Sequence, residues 1–314
     1  MKRTVLISAF IVFSSLNALA QQSGFDIFNF APTPNTLALS EATTAVPQGA
    51  SSVYSNPALL SLMPSSTIDL GYSRMIGDAN NIFGGINFRE KNRAIALTVY
   101  RSGDDGFEQR DTQGPSNGNF SVNYLTISSA LSYNFKYFAI GASAQYIYQE
   151  VYLDKSFGYS LNAGLAREFL SGKIRTGFSV VNLGKMNKLV TSEPILPTAL
   201  RMGGAVDILE FTPPKNSNLP ILVNVSADYV IPIADTPNNN SIGFYDDETY
   251  ANFGINFNIA QVVELKTGFK TGNTARPLSF GVGFITDILT FNYALIPFNT
   301  GFGTVHSIGL QYKF

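Results

Sequence analysis

From Thr67 to the C-terminus apolar and polar residues alternate with a period of two, and this pattern limits the fold more than any other feature of the chain. Asn252–Ile259 places Phe253, Ile255, Phe257 and Ile259 on one face and Asn252, Gly254, Asn256 and Asn258 on the other. Leu278, Phe280, Val282 and Phe284 oppose Ser279, Gly281 and Gly283 in the same way. A period of two is that of a β-strand with unlike surroundings on its two faces. The glycines and β-branched residues in these stretches also oppose a helix.

About fourteen such segments follow one another, over 67–76, 82–89, 93–101, 119–135, 138–151, 157–169, 174–183, 197–208, 220–232, 248–258, 261–270, 277–287, 288–297 and 304–314. Most run to about ten residues, the length of a tilted strand that crosses a membrane. An even count suits a closed antiparallel barrel. Composition agrees. Charged residues make up 14% of the chain, well below the roughly 25% of soluble domains. Mean hydropathy is nevertheless only +0.09, as it must be where only alternate residues are apolar. The fold expected is an all-β transmembrane barrel of about fourteen strands, with a large soluble β-sandwich as the competing class. Connections alternate in length: 90–92, 136–137, 170–173 and 260–261 are short, whereas 102–118, 184–196 and 232–247 are long and would lie on the opposite side; 210–219 breaks the pattern, being long on the side of the short turns.

The N-terminus supplies the address. Met1-Lys2-Arg3, an apolar run over Val5–Phe13 and Ala18-Leu19-Ala20 form a secretory signal peptide over residues 1–20, cleaved after Ala20. The apolar run is too short to span a membrane. Residues 21–66 do not alternate. They carry five prolines and short helix-compatible pieces, with Asn56-Pro57 a good helix start. Two readings are open for this segment, a disordered arm or a plug packed inside a barrel over 67–314. Its apolar residues, among them Phe30, Leu37, Leu39, Leu59 and Leu60, favour the plug.

No catalytic constellation is present. His306 is the single histidine and there is no cysteine, so a histidine-based triad or a thiolate metal site has nothing to be built from. The acidic clusters Asp104-Asp105 with Glu108 and Asp246-Asp247-Glu248 are read as solvated loop residues rather than a calcium site. A net charge of −1 offers no nucleic-acid footprint. The chain is expected to be non-enzymatic and to need no cofactor or metal.

The last strand, with Ile308, Leu310, Tyr312 and the terminal Phe314 on one face, resembles the assembly signal of bacterial outer-membrane barrels. That implies the barrel-assembly machinery and outer-membrane lipid as partners. Asn29–Leu39 and Ser51–Leu60, the latter containing Asn56-Pro57-Ala58-Leu59, resemble the start of the PorV/PorQ family, which is related to the long-chain fatty-acid transporter FadL. Val180–Gly184, Leu196–Gly204, Ser226–Val230, Leu278–Phe284 and Asn292–Phe298 continue the likeness. It implies an outer-membrane component of the type IX secretion system, with its translocon, attachment proteins and secreted cargo as partners. The alternative is a FadL-like channel for hydrophobic small molecules. It would have a lateral opening at a strand kink, for which Pro232 and Pro297 are the candidates because proline cannot donate to the ladder.

Overall fold

A computed structural model describes residues 26–76, 79–109, 116, 118–190, 193–211, 220–233, 248–299, 301 and 303–314. The signal-peptide reading over 1–20 and the Asp246-Asp247 cluster fall outside them. Fourteen antiparallel strands form one closed barrel. They are β1 Thr67–Arg74, β2 Asn80–Glu90, β3 Arg93–Gln109, β4 Gly118–Asn134, β5 Ala139–Val151, β6 Asp154–Phe169 and β7 Ile174–Met186. β8 Ala199–Phe211, β9 Ile221–Pro232, β10 Tyr250–Ile259, β11 Val263–Lys270, β12 Leu278–Ile285, β13 Leu289–Pro297 and β14 Thr304–Lys313 complete it. Each strand pairs with its neighbours in sequence. β1 closes on β14 from Thr67↔Lys313 to Arg74↔His306, so no edge is left open.

The barrel is apolar outside and polar inside. Leu97 is 56% exposed while Thr98 beside it is 2% exposed. Leu70, Leu131, Phe253, Phe280 and Phe291 also face outward, and Ser73, Asn81, Gln145, Asn252 and Ser307 are buried inward. An outer surface of this kind is stable only against lipid, and a closed barrel is the sheet that satisfies its backbone there. No helix among the described residues is long and apolar enough to cross a membrane; the strands do that.

Both Thr67 and Phe314 lie at one rim, called here the terminal rim. The β2–β3, β6–β7 and β10–β11 turns there are tight, with left-handed backbone at Lys91, Leu170, Ser171, Ala260 and Gln261, whereas the β8–β9 connection at the same rim spans residues 212–220. The far rim is less uniform than loop lengths suggest. β5 and β6 are joined there by Tyr152-Leu153 alone. Asp104, Asp105 and Glu108 are not loop residues either. β3 runs to Gln109 and pairs with β4 across a bulge between Asp104 and Phe107, which prolongs this hairpin beyond its neighbours. The polar residues there read as a loop, but the ladder is satisfied by hydrogen bonds that do not depend on side-chain hydropathy.

Candidate functional site

The segment before β1 lies inside the barrel. Its pieces are a 3-10 turn Asp26–Asn29, short helices Pro34–Ala38 and Ser52–Ser55, and a 3-10 stretch Pro57–Leu62. None could stand alone in water at such lengths; the wall holds them. Asn56 is the brace. Its Oδ1 accepts from Ala58 N at 3.1 Å and so caps the Pro57–Leu62 stretch. Its Nδ2 donates to Thr44 O (2.8 Å) within the segment and to Leu165 O (3.1 Å) on β6. Pro57 opens the turn, and Ala58 and Leu59 pack on Ala139 and Ala166 of the wall.

The wall admits this backbone through glycine. A Cβ on Gly141 would fall on Pro57 C, one on Gly177 on Thr44 O, and one on Gly268 on Leu39 C and Ser40 N. Each is closer than any carbon can approach, so these lumen positions have room only for hydrogen.

Two ion clusters fasten the segment to β8 and β9 and to the β11 end of the wall. Asp228 of β9 is fully buried, and its Oδ2 accepts from Thr43 N (3.0 Å), Thr44 N (2.9 Å), Thr44 Oγ1 (2.6 Å) and Arg201 Nη2 (3.1 Å). Arg201 also donates to Thr44 Oγ1 (3.0 Å) and Glu41 O (2.7 Å). The Glu41 carboxylate itself meets Lys270 Nζ at 2.8 Å and Arg276 Nη1 at 3.5 Å. Ser40 and Glu41 both hold left-handed backbone (φ 47° and 66°), a costly conformation for residues with a Cβ. Ser40 is anchored by Ser279 Oγ, which takes its N–H at 3.1 Å. Burial would raise the Glu41 carboxyl, but Lys270 and Arg276 outweigh it and lower it from 4.5 to about 2. Its stabilising contribution is therefore complete above about pH 4.5 and lost as pH falls through about 2. Denaturant midpoints taken between those values should fall more steeply for the natural chain than for Glu41→Gln. Parallel curves would refute this.

Towards the far rim the lumen turns apolar. Ile27, Phe83, Tyr100, Tyr124, Ile147, Met186 and Leu196 form one buried cluster, with Phe28 and Tyr54 against it. Tyr54 meets Phe83 and Tyr100 edge-on, with ring centroids 6.2 and 5.9 Å apart. Beside them lies a cavity of about 60 Å³ with Phe28, Tyr54 and Tyr100 on one side and Glu41, Arg201 and Asn182 on the other. The amide oxygen of Asn182 is buried without a hydrogen-bond partner among the described residues. Asn182 sits at a register shift, where β7 carries one residue more than β6 between Leu161 and Ala163. The pairing of β7 with β8 ends at Val181 opposite Ala199, where β8 begins. Asn182 still donates Nδ2 to Pro197 O (3.2 Å) and accepts from Thr198 Oγ1 (2.7 Å), and beyond it β7 runs on to Met186 without a β8 partner.

Pro232 and Pro297 are the last residues of β9 and β13, opposite Ala199 and Thr304, and the register runs unbroken up to them. The register shifts lie elsewhere, between β3 and β4, β6 and β7, and β8 and β9. Ile308, Leu310, Tyr312 and Phe314 all face outward, with the last two rings stacked at 5.9 Å. His306 also faces outward, its Nδ1 2.7 Å from the Tyr293 hydroxyl. Sequence reasoning did not single out Glu41, Arg201 or Asp228. The available signal was an ion at a lumen-facing position of a strand in a chain poor in charge.

No protein-family model matches the chain, and no curated protein matches it. Solved structures do. The CymD monoaromatic hydrocarbon channel superimposes with a TM-score of 0.59 at 13% identity, over 94% of this chain and 98% of that one. The toluene transporter TodX of P. putida gives 0.57 at 9%, over 92% and 99%. A Pseudomonas aeruginosa FadL homologue gives 0.53 at 9%, over 90% and 98%. At such identities the likeness is one of fold: the chain shares its barrel with these channels and with the FadL homologue.

Proposed function

We propose that this protein is an outer-membrane channel for small hydrophobic molecules, with the terminal rim in the periplasm and the far rim outside. The observation that carries the reading is the aromatic cluster around Tyr54, Phe83 and Tyr100 inside the barrel, toward the far rim. A porin for hydrophilic solutes has no use for it. The fold shared with channels for toluene and other monoaromatic hydrocarbons supports the same reading. The early end of β7–β8 pairing, with Met186 and Leu196 turned inward, is the best-supported place for a lateral mouth. Residues 26–66 act as the plug. The 60 Å³ cavity is well below the about 150 Å³ that holds benzene, so passage requires Phe28 and Tyr54 to swing aside.

The second reading, a type IX secretion component that handles or attaches cargo, rests on the PorV/PorQ resemblance of Asn29–Leu39 and Ser51–Leu60. One experiment separates the two. In a strain lacking the gene, uptake of radiolabelled toluene and of a labelled fatty acid is measured beside surface-attached cargo. The channel reading expects uptake to fall several-fold with cargo unchanged. Loss of cargo with normal uptake would overturn it in favour of secretion.

A further inference from the structure

We propose that the outward face of β1–β4 near the far rim binds the net-anionic phosphate headgroup of a membrane lipid. Five outward positions stand side by side in register on β14 and β1–β4: His306, Arg74, Asn80, Gly103 and Asn123. On the side of the terminal rim the next outward residues on β14, β1 and β2 are the exposed Ile308, Tyr72 and Ile82; on β3 Arg101 stands in register with them and the exposed Val99 follows. The row thus marks where the lipid-facing belt gives way to polar side chains, the depth at which headgroups lie.

Arg74 in this row and Arg101 beside it have no anionic partner among the described residues. Arg74 is exposed and makes no hydrogen bond or ion pair among the described residues. Arg101, one outward position before Gly103 on β3, donates Nη2 to Asn123 Oδ1 (2.5 Å) and Nη1 to Asn80 Oδ1 (3.5 Å). Both acceptors are neutral amides, so they orient the guanidinium without compensating its charge among the described residues. Gly103 makes this possible: a Cβ there would lie 2.7 Å from Asn123 Oδ1 and 2.8 Å from Arg101 Nη2. The neighbouring outward carboxylate, Glu150, is already engaged by Lys155 (3.4 Å) and the Tyr148 hydroxyl (3.1 Å). From Arg74 to Gly103 is two strand spacings, about 10 Å, within the reach of two arginine side chains closing on one headgroup. A fork of guanidinium donors beside spare amide N–H groups suits phosphate oxygens. Acyl chains would continue over Tyr72, Ile82 and Val99.

The test is native mass spectrometry of the full barrel released from micelles holding equal phosphatidylglycerol and phosphatidylcholine, with inorganic phosphate in a parallel sample. Phosphatidylglycerol adducts should predominate. Each arginine removed should lower them about fivefold, so that Arg74→Gln/Arg101→Gln approaches the phosphatidylcholine level. Arg167→Gln, which removes an outward arginine beside the terminal rim, should change nothing. Equal retention of both lipids, adducts that survive the double substitution, or equivalent adducts from inorganic phosphate alone would each overturn the proposal. Should the double variant fail to fold, Arg74→Gln breaks no described contact, and unchanged adducts with it alone would be as damaging.

Discussion

Asp228→Ala is expected to destabilise the folded barrel by about 3–5 kcal/mol, the cost of leaving one partner of a buried ion pair alone. The substitution strands Arg201 and removes the acceptor of two backbone N–H groups and one hydroxyl from the plug, at Thr43 and Thr44. The Thr43 and Thr44 groups cannot turn to bulk water, because they and the Asp228 side chain are fully buried. Asp228→Asn keeps the shape and an acceptor oxygen and should lose roughly half as much. Guanidinium unfolding, followed by the shift in electrophoretic mobility of unheated samples, reads both. Limited proteolysis adds a second readout, since cleavage within residues 26–66 should accelerate before the barrel melts. A loss below about 1 kcal/mol would mean that the cluster is wetter than its burial implies.

Gly177→Ala is the second large effect. The added methyl would overlap the Thr44 carbonyl oxygen, which is main chain and is held in place by Asn56 Nδ2 and the Asp228 cluster. Nothing flexible can give way, so the plug must shift or the barrel fail to assemble. A cost of about 3 kcal/mol or more follows, at the upper end for overpacking. Gly204→Ala, one strand away on the outward face, supplies the contrast. The only atom near its added carbon is Arg175 O at 3.9 Å, and a change within about 0.5 kcal/mol is expected. Equal tolerance of the two substitutions would show that the plug is not pressed against the wall.

These two predictions turn on residues that differ in how legible they were. A glycine in a strand signals either a bulge or a close approach. The alternation assigns Gly177 and Gly204 to opposite faces, but it cannot say which face another backbone will touch. Asp228 lies within the stretch Ser226–Val230, and its neighbours marked it as lumen-facing. Its partners, Thr43, Thr44 and Arg201, are 185, 184 and 27 residues away in sequence. Asn56 was more accessible, because a cap followed by proline is a local device. Its second contact, to Leu165 O on β6, is not local and was not foreseen.

The sequence by itself determined the barrel. Alternation with period two, too few charges for a soluble surface and an unpaired first and last strand admit one closed sheet, because every residue feels the same two solvents, lipid and lumen. Strand number and nearly all boundaries follow from that local rule. Only the tertiary structure decided where the segment before β1 would sit, which buried ions would hold it, and that β7 would run on without β8 beyond Asn182. It also revealed that the polar stretch 102–109 continues β3 rather than leaving it. These features depend on contacts between residues far apart in sequence, whose energies come from close approach and desolvation, and no periodicity along a single strand records them.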